Sequence, residues 1–136
     1  MAIVRLASNS LTLVASAIIS AIDANGLGKF KFYTGPMPAT PQTAITTQTL
    51  LGTLRTANPC GTLSGTTITF NALTQDDSAD ADGQASWVRV TDGADNVVMD
   101  LDVTVLAGTG AVRMNTIDIV KGGPIRINSA VLYIGA

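Results

Sequence analysis

After Asn25-Gly26 the hydrophobic period of this chain changes from about 3.6 to 2, and it does not change back. Before that point Leu11, Ala15, Ile18 and Ile22 share one helical face, with Val14 and Ile19 beside it. Ser8 or Ser10 suits the N-cap, because a short hydroxyl accepts one of the orphan N–H groups of a first turn. Asn25-Gly26 supplies a left-handed stop. The pattern predicts an amphipathic, docked helix over about 9–25. The same run, Leu11 to Ile22, can also be read as the apolar region of a signal peptide, with Ala21 and Ala24 bracketing a cleavage site. Thr12, Ser16 and Ser20 within it favour the helix. Twelve residues are too few to span a bilayer, which takes about 20.

Short alternating runs follow. Phe30 and Phe32 oppose Lys29 and Lys31; Ile68 and Phe70 oppose Thr67 and Thr69; Val88 and Val90 oppose Trp87, Arg89 and Thr91. Val97 to Val105 places Asp100, Asp102 and Thr104 opposite five apolar residues, and pairs with 84–91 as a hairpin across Asp92–Asn96. Residues 42–57, Val112–Val120 and Ile125–Ile134 read as further strands. Ala107–Gly110 reads as a hairpin turn. Pro36, Pro38 and Pro41 forbid a regular ladder and predict an extended excursion over 35–41. One helix and about seven or eight short strands predict a mainly β fold, an antiparallel jelly-roll-like sandwich formed as a single domain over 1–136.

Composition narrows the chemistry. Charged residues make up 13% of the 136 residues, about half the usual share, and the formal charge is −2. No basic footprint for nucleic acid is present. Histidine is absent, which removes histidine triads and histidine metal sites. Cys60 is the one cysteine, so an intramolecular disulfide is impossible; Asn58-Pro59-Cys60-Gly61 reads as a turn with a structural thiol. The sequence points away from an enzyme and calls for no cofactor.

Three places remain as candidates, beside one feature of the composition. Asp76–Gly83 resembles a calcium loop, but aligning Gly83 with the invariant glycine puts Arg89 where the closing acid belongs. A solvated loop stabilised by Asx turns, with at most weak calcium binding, is the expectation. Asp100 and Asp102 lie about 7 Å apart on one strand face, a spacing within reach of glycosidase carboxylates; solvated outer-face charges explain them more simply. Trp87 and Arg89 point the same way, so the guanidinium can lie over the indole, either as a partly buried structural pair or as an interface anchor. The abundance of Thr, Ala and aliphatic residues predicts surface that an assembly covers.

The chain resembles the capsid cement (decoration) proteins of tailed bacteriophages. The likeness runs through Asp23-Ala24-Asn25-Gly26, 31–38, 49–54, Asn58-Pro59 and Asp92-Gly93, and is sharpest at Ala79-Asp80-Ala81-Asp82-Gly83-x-Ala85-x-Trp87-x-Arg89. It implies a jelly-roll-like homodimer on the outer surface of a virion. Its partner there is the major capsid protein, and it takes no nucleic acid, membrane or small-molecule substrate. The chain would be made in the host cytoplasm. Trp87, Arg89, Pro36, Pro38 and Pro41 are the expected interface residues, with residues 1–9 or 35–41 reaching across a capsid seam. A secreted adhesin-type sandwich with a cleaved leader is the alternative. A small tail or carbohydrate-binding module is a third, but it needs an exposed aromatic platform, and aromatics are only 4% of the chain and mostly alternate inward.

Overall fold

The computed structural model of the chain describes residue 3 and residues 5–134. Helix α1 spans Ser8–Asp23. Ten strands follow: β1 Lys29–Tyr33, β2 Leu50–Arg55, β3 Gly61–Ser64, β4 Thr67–Phe70, β5 Gly83–Gln84, β6 Trp87–Thr91, β7 Val97–Val105, β8 Val112–Met114, β9 Asp118–Ile119 and β10 Ser129–Tyr133. Eight of them form one sheet in the order β2-β1-β6-β7-β8-β10-β4-β3, and β5 pairs with β9. Phe30 of β1 meets Phe70 of β4 edge-to-face at 5.1 Å, although four strands separate β1 from β4 in the sheet. The sheet therefore curls until its halves face each other across the core, and α1 packs against β3 and β7. This is the mainly β fold with one N-terminal helix that the change of period predicts.

The helix buries Leu11, Ala15 and Ile22, with Ile18 and Ile19 half-buried. Its stop is as expected, with Gly26 at φ +91°. Its start is not: Ala7 occupies the N-cap without a side-chain hydrogen bond, and Ser8 and Ser10 lie inside the first turn. Val14 also departs from the expected inward stripe and is exposed.

Other expectations are corrected by pairing. Residues 42–49 form no strand; only Leu50–Arg55 of that run joins the sheet. Val112–Val120 splits into β8 and β9, and the Ile125–Ile134 run contributes only Ser129–Tyr133. Within β10 the core residue is Ala130, so Tyr133 stands outward. Ala107–Gly110 is no hairpin turn, because β7 and β8 run parallel, Val103 opposite Val112 and Val105 opposite Met114. Parallel neighbours normally need a connection of a dozen residues or more. Here only three residues pair, so the chain has to return by about two strand rises, roughly 7 Å. Tight glycines make that return possible. A Cβ at Gly108 would sit 2.5 Å from the Thr104 hydroxyl, and that hydroxyl accepts the Gly110 N–H at 3.0 Å.

The acidic loop has a structural task. It runs along the open edge of β2, where Thr74 N–H donates to Arg55 O and Asp80 N–H to Leu51 O. The Asp76 carboxylate accepts the N–H groups of Thr53 and Ser78. An edge whose hydrogen-bonding groups are used in this way is a poor template for another strand.

Candidate functional site

The outer face of the sheet around Tyr33, Trp87, Arg89 and Asp100 is not solvated. Every residue of β6 is buried, on both faces, because residues 34–49 lie over the side that carries Tyr33, Trp87 and Arg89. This segment leaves β1 and returns to β2 through a closed neck, where Thr34 N–H donates to Thr49 O at 3.1 Å and Thr49 N–H to Thr34 Oγ1 at 3.0 Å. Sixteen residues whose ends meet make an Ω-loop, a form often used for binding.

The loop is fastened from below. Arg89 and Asp100 stand directly opposite each other on β6 and β7. Their side chains form a two-pronged ion pair, Nε to Oδ1 at 2.8 Å and Nη2 to Oδ2 at 3.0 Å, with only 7% and 4% of the side chains exposed. The remaining Nη1 donates to Thr43 O at 2.8 Å, in the middle of the loop. Trp87 lies beside the pair, its ring centroid 5.2 Å from the guanidinium carbon. Trp87 also stacks on Tyr33 at 4.8 Å, and its Nε1 donates to Thr34 O at 3.2 Å. Ser86 Oγ donates to Gly35 O, and Gln48 Nε2 to Pro36 O.

The electrostatics follow from this packing. The hydrogen bond to the Asp100 carboxylate raises the Arg89 pKa further, against the burial that opposes its charge. Burial raises the Tyr33 phenol, with the Arg89 charge pulling the other way. Guanidinium, carboxylate and two aromatic rings thus form one buried column whose free donor reaches a loop carbonyl.

The expected cation–π geometry of Trp87 and Arg89 is present, but both residues lie under the loop rather than on the surface. Pro36 is exposed; Pro38 and Pro41 are half-buried in the same loop. Loop 34–49 itself carries no Asp, Glu, Lys or Arg. Asp100, expected as a solvated charge, is instead the buried partner of Arg89, because β6 presents a cation directly across from it. Asp102 is exposed and accepts the Ala111 N–H at 2.9 Å. Of the proposed N-terminal arm, residues 1, 2 and 4 lie outside the described residues.

The remaining candidates are structural in their contacts. Cys60 is buried, its N–H donates to the Asp23 carboxylate, and burial together with the nearby Asp23 charge pushes its thiol up to about 12. Among the described residues no group of three or more His, Cys, Asp or Glu is placed to hold a metal ion. No described helix is long and apolar enough to cross a membrane. Comparison with protein-family models, characterised proteins and solved structures finds no match for the chain.

Proposed function

We propose that this chain is a structural virion protein. It binds the outside of a tailed-phage capsid as a homodimer and cements neighbouring major capsid protein subunits. The observation that carries the reading is the charge-free Ω-loop 34–49, held rigid by a buried ion pair and presenting Pro36, Met37 and a run of Thr and Ala to the outside. A buried pair spent on one loop carbonyl supports a loop whose shape matters, since an ordered contact loop loses less entropy on binding than a mobile one. The outward side of α1 supports the same reading. It has no charged residue from Ser8 to Ile22 and exposes Leu13 at 70%. Each contact can be modest, because engaging several subunits at once raises avidity by roughly 10²–10⁴.

Sedimentation tests the proposal, using the purified protein alone and mixed with capsids stripped of it. The expected result is a dimer that rebinds and raises the melting temperature of the shell. Replacing 36–47 with a short Gly-Ser link should abolish rebinding while leaving the dimer intact. A monomer that ignores stripped capsids sinks the reading. Intact mass separates it from the secreted adhesin. Cleavage after Ala24 would remove Leu11, Ala15 and Ile22 from the core, whereas the cement reading requires these residues in the mature protein.

A further inference from the structure

A second feature lies on the outer face of β7, β8 and β10, on the far side of Asp102 from Trp87, and its lining includes no residue of the Ω-loop. An opening of about 320 Å³ is lined there by Asp102, Gly110, Arg113, Ser129, Val131 and Tyr133, at the small end of the range of ligand sites. Tyr133 is 74% exposed, a large share for an aromatic ring. Asp102 uses Oδ1 for the Ala111 N–H, and Arg113 uses Nε for Gly110 O at 3.3 Å. The two charges flank one opening without forming an ion pair with each other among the described residues. The strand register fixes this arrangement: Ser129 lies opposite Arg113, and β10 runs on to Tyr133.

The chemistry of the lining selects among ligands. An anion would meet Asp102 and a cation would meet Arg113, so neither is favoured outright. An apolar ligand would strip water from both charges and give nothing back. A neutral polyol satisfies all of them, because each hydroxyl can donate to the carboxylate and accept from the guanidinium. The phenol ring adds an apolar face with a wet rim, which suits the C–H face of a pyranose. We infer that this opening is a binding site for a neutral saccharide of one or two rings, with Tyr133 as the stacking platform and Asp102 and Arg113 as the hydrogen-bonding pair. The inference stands apart from capsid binding, since it uses none of residues 34–49.

The test is a titration of ¹⁵N-labelled full-length protein with methyl glucoside, methyl galactoside, methyl mannoside, N-acetylglucosamine, maltose and lactose. Glucuronate and glucosamine serve as charged controls. Amide shifts should centre on Ala111, Arg113 and Ser129–Tyr133 for at least one neutral sugar. Tyr133→Ala should weaken binding about tenfold, and Tyr133→Phe should keep most of it. Asp102→Asn retains an acceptor for Ala111 N–H but removes the negative charge, so glucuronate should gain affinity relative to glucosamine. A structural role for Asp102 would not move that ratio. Absence of shifts with every neutral sugar, shifts centred elsewhere, or unchanged affinity in Tyr133→Ala overturns the inference.

Discussion

Replacing Arg89 with alanine isolates the energetic weight of the buried column. The substitution leaves the Asp100 carboxylate, 4% exposed, without its partner, and leaves Thr43 O without its donor. Breaking one side of a buried ion pair costs about 3–5 kcal/mol, a large fraction of the roughly 5–15 kcal/mol that stabilises an ordinary domain. With an unfolding entropy of about 2.1 cal/mol/K per residue, that loss lowers Tm by roughly 10–17 °C in a chain of 136 residues. The double variant Arg89→Met with Asp100→Leu removes both charges and should return to within about 2 kcal/mol of the parent, since packed apolar pairs commonly replace buried ion pairs without loss. It should not restore the loop. Hydrogen exchange at Thr43, whose N–H donates to Thr40 O, should be fast in both variants and slow in the parent. Urea denaturation and exchange are the two measurements. A cost below about 1 kcal/mol for Arg89→Ala, the range of an exposed pair, would refute the reasoning, as would an unchanged exchange rate in the double variant.

Three further outcomes are expected. A Cβ at Gly93 would lie 2.0 Å from Asn25 O, so Gly93→Ala must push the β6–β7 turn off the end of α1, lowering stability by about 2 kcal/mol or more in denaturant titration. Thr56 is 1% exposed and its hydroxyl has no partner among the described residues; Thr56→Val should raise stability by about 1 kcal/mol, measured the same way. The carboxylates of the same turn make the fold acid-sensitive. Hydrogen bonds from Asn96 and Asn25 lower Asp92 to about 2, and those from Lys29 and Lys31 lower Asp95 to about 2. Because these folded-state values lie below the ordinary carboxylate value, their stabilisation is complete above about pH 4 and is lost as pH falls towards 2. Circular dichroism against pH should show that decline, and Asp92→Asn should flatten it.

The sequence revealed much of the inner face and little of the outer one. Phe30, Phe32, Ile68, Phe70, Val88 and Val90 are buried as alternation requires, because period 2 follows directly from the pleat. Trp87 and Arg89 were recognisable as a pair on one face by the same rule. That Asp100 completes the pair depends on the register between β6 and β7, and a shift of one residue would have set Arg89 against an apolar residue. The cover over that face was hidden for another reason. Thr-rich residues 42–49 have strand propensity, but Thr43 O is taken by a guanidinium instead of a neighbouring strand. The exposure of Tyr133 is not legible in the sequence, because a smooth alternation from Ile125 sets it in phase with apolar neighbours, while β10 takes its register from Thr67–Thr69 of β4.

The position of β10 has a kinetic consequence. Late in the chain, it is nevertheless an interior strand of the sheet, bonded to β8 on one side and β4 on the other. The β3–β4 hairpin is translated some sixty residues before β10, so it waits with one edge unpaired until residues 129–133 leave the ribosome. Closing the curled sheet is then a single late event that joins distant segments at once. Such non-local closure is slow compared with helix or hairpin formation. A cell making many copies would hold a population of nascent chains with an open β4 edge, and the rate at which β10 docks would set how long they remain vulnerable to mispairing.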